Sequence, residues 1–366
     1  MLDQETIKKL KLSWEKIALA KRILLVSHIN PDVDALASLG ALMEILQERD
    51  KEFVAWADGK GDNYYFLPNE ENIIGDKDIL FSEISRRFNN QQEVGLDMMK
   101  FFDLVIVLDC GSIDRTSLTQ YFENIRSLML DTFVIEIDHH PATRTYANIE
   151  IKIPLASTTE LLYYLVDLNN IELKRNLANC LLAGLLTDTA NFLYPSVDDQ
   201  TIKIAANLMA SGAQFPKLLN HTWRNKTFLE MKLWGLALAN LKVNKKYNIA
   251  SSVLSYDDIQ RIKESYGFFS GDVFGDIAGF LSNLAEADII LLLREEELGF
   301  IKGSLRVGAV KNDFLATGND LGDEENNHEI DVNKLAQIFG GGGHKKAAGF
   351  MIEGHIVKNK DDFQII

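Results

Sequence analysis

The sequence predicts an α/β protein with a mostly parallel sheet domain, a helical linker and a smaller mixed α/β domain at the C-terminal end. Three observations predict it. Short β-branched runs alternate with helical periodicity through the first half of the chain. Residues from about 157 to 242 read almost entirely as helix. Strand patterns then return at 247–255, 288–293 and 299–306, with helical stretches near 275–285 and 331–339. At 366 residues the chain is long enough for two hydrophobic cores. The expected divisions are 1–195, 196–244 and 245–366.

The elements follow in order. Residues 5–20 carry an amphipathic helical pattern, and Ile23-Leu24-Leu25-Val26 marks a first strand over 22–27. Asp34 to Arg49 has apolar residues at 36, 39, 42, 43, 45 and 46, a helical period, and Phe53-Val54-Ala55-Trp56 reads as the second strand. Between 58 and 100 the pattern weakens around Gly59, Gly61, Pro68 and Gly75, and the polar run Arg86–Gln92 reads as part of a surface insertion. Strand, helix and strand resume at 103–109, about 115–128 and 132–137. Asn312 to Asn327 is rich in Asp, Glu, Asn and Gly and reads as a solvated loop.

Composition narrows the function. With 46% hydrophobic and 25% charged residues, the chain is an ordinary globular one. Its 38 basic and 53 acidic residues leave a net charge of −15, which disfavours tight binding of long nucleic acid through phosphate contacts. Two cysteines, Cys110 and Cys180, make neither a disulfide framework nor a zinc-finger spacing and suit a reducing compartment. The acidic, mixed-charge start does not resemble a signal peptide, and no run of apolar residues is long enough for a membrane span. A cytoplasmic location is the expectation.

The chemistry-bearing residues stand at the ends of the predicted strands. Ser27-His28-Ile29-Asn30-Pro31-Asp32-Val33-Asp34 follows the first, Asp109-Cys110 follows Leu104–Leu108, and Asp138-His139-His140-Pro141 follows Phe133–Ile137. In an open parallel sheet the carboxyl ends of the strands share one edge, where ligands bind. So many carboxylates and imidazoles at one edge would repel or desolvate one another unless cations held them, which points to a metal-dependent hydrolase. His28 and Asp32 suit one cation while Asp34 points to another, Asp109 is placed to bridge the two, and His139 with Asp188 of Thr187-Asp188-Thr189 completes the second site. Two divalent ions polarise a phosphoryl oxygen and generate a hydroxide at neutral pH. Mixed oxygen and imidazole ligands without thiolates favour Mn²⁺, with Mg²⁺, Co²⁺ or Zn²⁺ as alternatives. Each residue also has a plain reading: Asp34 as a helix N-cap, Asp138 as a turn-bracing carboxylate, Asp188 as a surface acid, Cys110 as packing.

These segments, Ser-His-x-x-Pro-Asp-x-Asp-Ala, strand-Leu-Asp, Asp-His-His and Thr-Asp-Thr in that order, resemble the motifs of the DHH phosphoesterase superfamily. The resemblance implies a Rossmann-like sheet domain with one metal on His28, Asp32 and Asp109 and a second on Asp34, Asp109, His139 and Asp188. It implies that Asp109, His140 and Asp138 form the catalytic set, with His140 on the substrate phosphate and Asp138 behind the ligands. Two positions depart from the pattern: Val33 where many members have Gly, and Cys110 where they have Thr.

A second constellation is Phe339-Gly340-Gly341-Gly342-Gly343-His344-Lys345-Lys346-Ala347-Ala348-Gly349-Phe350. Successive glycine amides form a nest for phosphate oxygens, and a helix opening at Lys345–Gly349 would add its N-terminal amides. With Ile301-Lys302-Gly303-Ser304-Leu305-Arg306, this stretch is similar to the DHH-associated C-terminal domain of the branch that holds nano-RNases, 3′-phosphoadenosine 5′-phosphate phosphatases and RecJ-type exonucleases. That resemblance implies that Arg306, Gly341, Gly342, Gly343 and His344 bind the substrate across a cleft from the metals, and that the protein forms a homodimer. Arg144 is a further candidate phosphate contact. The expected activity is hydrolysis of short oligoribonucleotides, pApA-type linear dinucleotides or 3′-phosphoadenosine 5′-phosphate. A RecJ-type exonuclease and an inorganic pyrophosphatase or exopolyphosphatase are the alternatives. The acidic surface disfavours the first, since tracking a long strand wants a basic groove, and the glycine-rich segment disfavours the second.

Overall fold

Alternation along the apolar runs decides the first half of the molecule. The computed structural model of the protein describes residues 2–61, 64–88, 95, 98–140, 145–194, 196–267, 273–297, 299–308, 330–343, 345–358 and 363–366. It divides into two units, Met1–Asn225 and Lys226–Ile366. In the first, β1 (Arg22–Val26), β2 (Glu52–Trp56), β3 (Ile73–Ile74), β4 (Leu104–Leu108), β5 (Phe133–Asp138) and β6 (Ile149–Lys152) form a sheet ordered β3-β2-β1-β4-β5-β6. Every pairing in it is parallel. Successive side chains of a strand point to opposite faces. Ile23 and Leu25 therefore join one core while Leu24 and Val26 join the other, and Leu104, Ile106 and Leu108 part from Val105 and Val107 in the same way.

Helices cover both faces. On one lie α1 (Gln4–Leu19), α2 (Val33–Gln47), α5 (Thr158–Leu168) and α6 (Arg175–Asp188); on the other lie α3 (Lys77–Phe88) and α4 (Thr119–Ser127). The strand order reverses between β1 and β4, which puts the switch-point crevice beyond their carboxyl ends. The segment expected to be an insertion contains α3 and the sheet-edge strand β3. Only Leu80 and Ile84 of α3 are buried, so its apolar stripe is narrow and its period faint. β6, absent from the expected elements, alternates over Ile149-Glu150-Ile151-Lys152, but four residues give a weak signal.

The helical stretch expected as a linker is shared between the units. α7 (Asp199–Ala210) and α8 (Phe215–Thr222) place Ile204, Ala205, Leu208 and Leu218 in the first core, whereas α9 (Phe228–Ala239) places Leu229, Leu233 and Ala237 in the second unit. That unit is a mixed sheet ordered β11-β12-β10-β9-β8-β7, built from β7 (Lys242–Asn244), β8 (Ile249–Leu254), β9 (Ile289–Glu295), β10 (Phe300–Val307), β11 (Gly342–Gly343) and β12 (Ala347–Glu353). Only β8 and β9 pair in parallel. α9, α10 (Tyr256–Tyr266) and α11 (Val273–Leu281) cover one face, and α12 (Val332–Ile338) the other. A small antiparallel pair, β13 (Ile356–Lys358) and β14 (Phe363–Ile365), closes the chain. The 312–327 loop lies outside the described residues. No helix among the described residues is long and apolar enough to cross a membrane.

Candidate metal centre

The loops leaving β1, β4 and β5 are tied together before any ligand is considered. Ser27 Oγ donates to Leu108 O at 2.8 Å, joining the exits of β1 and β4, and Asp109 N donates to Ile137 O at 3.2 Å, carrying the β4–β5 ladder one residue on. Asp109 then turns into the left-handed region with φ 55, a conformation Asp tolerates better than most side chains. Asp32 caps α2, its Oδ1 accepting from Ala35 N at 3.0 Å. The N-cap reading of Asp34 is therefore corrected: Asp34 stands inside the first turn and is fully buried. Asp188 is the last residue of α6.

These ends bring the six residues expected as metal ligands into one place. Ligand atoms of His28, Asp32 and Asp109 lie within 4.8 Å of one another, as do those of Asp34, His139 and Asp188. His139 Nε2 is 3.5 Å from Asp109 Oδ1 and 3.2 Å from Asp188 Oδ2, so Asp109 stands between the two groups. His28 Nε2 is 3.7 Å from Asp32 Oδ2.

Hydrogen bonds set the orientation of the imidazoles. Nδ1 of His139 donates to Leu155 O at 3.3 Å, which turns Nε2 toward the carboxylates. Nδ1 of His28 lies 2.9 Å from Ile29 O, with the same consequence. His140 donates Nδ1–H to Asp138 Oδ1 at 2.7 Å, and Asp138 also accepts from His140 N at 2.9 Å and Gly111 N at 2.5 Å. Burial opposes a charge on either partner, but hydrogen bonding outweighs it: Asp109 and then Asp138 hold the His140 imidazole above its ordinary range, and His140 holds the Asp138 carboxyl below its own. His140 is thus braced by a buried carboxylate.

Divalent cations fit this donor set. Burial, and then the negative charge of Asp109, push the Asp34 carboxyl well above the usual carboxylate range. Burial and then Asp34 do the same to Asp188. Asp188 also ends a helix, where the macrodipole disfavours an anion. Bound cations remove all three penalties at once. The donors are carboxylates and imidazoles; Cys110 is fully buried in the core on the α3/α4 side of the sheet and acts as packing.

The second-unit candidates are arranged by β12. Arg306 of β10 pairs with Ala347, and Gly343 of β11 pairs with Ala348, so the arginine and the glycines meet at one end of the sheet. Lys345–Gly349 does not open a helix: β12 begins at Ala347, because the alternating Ala348 and Phe350 bury against α12. The glycines also have structural duties. Gly340 follows the end of α12 at φ 73, and a Cβ on Gly341 would fall 2.1 Å from Gly349 O. His344 and Arg144 lie outside the described residues.

Several site residues escaped the sequence reading. The N-terminus of α5 holds Asp34: Thr158 N donates to Oδ2 at 2.7 Å, and Thr159 N and Oγ1 donate to Oδ1 at 3.2 and 2.7 Å. Thr158 Oγ1 donates to Asp109 Oδ1 at 2.9 Å. Ser157-Thr158-Thr159-Glu160 is a capping-box pattern that marks a helix start, the one local signal available for this anion-holding end.

Comparison with known proteins extends over both units. Residues 22–185 match the model of the DHH family, N-terminal domain, and residues 262–364 match that of the DHHA1 domain. An uncharacterized protein of Mycoplasma genitalium is 27% identical over 370 residues, 99% of this chain and 97% of its own. The bifunctional oligoribonuclease and PAP phosphatase NrnA of Bacillus subtilis is 25% identical over 341 residues, 92% of this chain and 91% of that protein. The crystal structure of an exopolyphosphatase-related protein from Bacteroides fragilis shares the fold, with a TM-score of 0.74 at 23% identity over 94% of this chain and 90% of that one.

Proposed function

We propose, from the premise that the chain belongs to the DHH phosphoesterase superfamily and carries a DHHA1 domain in its second unit, that it hydrolyses phosphoesters in short oligoribonucleotides, pApA-type dinucleotides and 3′-phosphoadenosine 5′-phosphate. The relative named as an oligoribonuclease and PAP phosphatase, similar over most of both chains, supports this substrate class. The observation that carries the chemistry is the convergence of His28, Asp32, Asp34, Asp109, His139 and Asp188 at one sheet edge.

Those six residues would hold two divalent cations, Mn²⁺ by donor type, with Asp109 between them. Bound there, the cations supply Lewis acidity toward a phosphoryl oxygen and make water a nucleophile at neutral pH. The chain's own residues do the rest. Leu155 O and Ile29 O fix which imidazole nitrogen of His139 and His28 would face the cations. Asp138 accepts from Nδ1 of His140 and orients the imidazole toward the substrate phosphate, where a hydrogen-bond donor opposes the negative charge that builds there. Arg306, the 341–343 glycines and His344 would bind the substrate, in a cytoplasmic protein.

The test is a substrate series on purified, Mn²⁺-equilibrated protein: pApA, oligoribonucleotides of increasing length, 3′-phosphoadenosine 5′-phosphate, pyrophosphate and a long single strand. Turnover confined to the short nucleotides is expected. Preference for pyrophosphate, or processive degradation of the long strand, would replace this reading with one of the alternatives.

A further inference from the structure

One cation at this centre has no part in the chemistry above. Arg115 lies in the 3-10 turn Ile113–Thr116, which is held from several sides. Ile29 N donates to Arg115 O at 2.7 Å, Trp56 Nε1 donates to Thr116 O at 3.0 Å, and Thr116 Oγ1 donates to Ile113 O at 2.7 Å. The backbone that carries the side chain is therefore rigid and fastened to the loop of His28, while the side chain itself is exposed.

The guanidinium sits at the lip of the centre. Nη1 donates to Cys110 O at 3.3 Å, next to Asp109, and Nη2 lies 3.2 Å from His28 Nδ1. That second approach is not a good hydrogen bond: the nearer acceptor, Ile29 O at 2.9 Å, takes the Nδ1 proton, and two donors then face each other. An ideal Cβ at Gly111 would fall 3.5 Å from Arg115 Nη1 and 3.6 Å from His140 Cγ, so the guanidinium and the His140 imidazole flank the same glycine. No carboxylate among the described residues forms an ion pair with Arg115, although Asp32, Asp109 and Asp138 crowd the same edge. Of its five N–H donors, one goes to the backbone and one faces His28; the other three are available to an anion.

We propose that Arg115 is a substrate-binding residue, gripping non-bridging phosphate oxygens of a substrate seated between it and His140 over the metal centre. The inference rests on the phosphoester reading above and adds a phosphate contact supplied by the first unit. A planar fork engages two oxygens at once, whereas an ammonium offers a point charge.

Inorganic phosphate is the probe. It is titrated calorimetrically into Mn²⁺-equilibrated protein, beside a Mn²⁺ titration of metal-free protein and steady-state kinetics on pApA. Arg115→Ala is expected to bind Mn²⁺ as the wild type does, to bind phosphate about 10- to 100-fold more weakly, the worth of a charge-assisted hydrogen bond, and to raise KM more than it lowers kcat. Arg115→Lys should fall between the two. Arg115→Gln, which keeps a donor for Cys110 O, is read in the same way should the alanine variant not fold. Phosphate affinity and KM equal to wild type in the alanine or glutamine variant would overturn the proposal. Loss of Mn²⁺ in step with phosphate would also overturn it, making Arg115 a prop for the His28 loop. A wild type that binds phosphate through Arg115 yet leaves pApA intact removes the proposed substrate and keeps the clamp. A wild type that cleaves pApA with Arg115→Ala kinetically unchanged removes the clamp alone.

Discussion

At the scale of single residues, Asp109 has the most to lose. It is buried, left-handed, bonded to Thr158 and set between both ligand groups. Asp109→Ala should abolish most turnover and lower the Mn²⁺ stoichiometry measured by calorimetry; full stoichiometry with full turnover would end its bridging role. Asp138→Asn should keep the metal count and cost roughly 10- to 100-fold in activity, as a change behind the ligands does. A third residue tests electrostatics away from the ligands. Burial pushes the Glu136 carboxyl from 4.5 up to about 7, against the pull of Lys152 Nζ at 3.0 Å and with Tyr146, Asp138 and Cys110 around it. The folded state then binds a proton that the unfolded chain has released, so this group's contribution to stability declines as pH rises from 4.5 through about 7. Glu136→Gln removes that decline: its Tm should match the wild type near the lower pH and exceed it above the upper one. A constant Tm difference across the window would refute this. His28, Asp32, Asp109 and His139 were legible because each follows a recognisable apolar run. Arg115 was not, since nothing in Ser112-Ile113-Asp114-Arg115 says where its turn will be fastened.

Among the elements, α6 shows how helix packing makes room for a ligand. A Cβ at Gly184 would lie 2.2 Å from Asp34 Oδ1 and 2.6 Å from Thr159 Oγ1. Ala is worth roughly 1 kcal/mol more than Gly in a helix interior, but here the clash decides the sign. Gly184→Ala should lower both Mn²⁺ affinity and Tm; unchanged Mn²⁺ binding would show that α6 shifts away freely. The element reading worked where burial was broad, as in α2, whose residues 35–43 are all buried. It failed where burial was narrow or local order weak: α3 with two buried residues, the two-residue β3, and the 345–349 segment, whose small residues suit a helix or a strand until α12 provides a surface for Ala348 and Phe350.

For the whole molecule, the proposed assignment of metal binding to the first unit and substrate contact to the second is one that kinetics can separate. Arg306 belongs to the second unit and the six metal-type residues to the first. Arg306→Ala should raise KM for pApA, spare kcat, keep the bound Mn²⁺ and leave a small chromogenic ester cleaved nearly normally. Equal losses on both substrates would place Arg306 in the reaction itself. By itself the sequence determined the parallel sheet, its helical cover, the second mixed unit and the residue types at the strand ends, because apolar periodicity and strand-end position are local properties of a chain. Only the tertiary structure decided which groups meet there. Thr158 reaches Asp34 across 124 positions of chain and Arg115 reaches His28 across 87. Contacts at that separation are set by how helices pack on the sheet and where loops are pinned, and no local pattern encodes them.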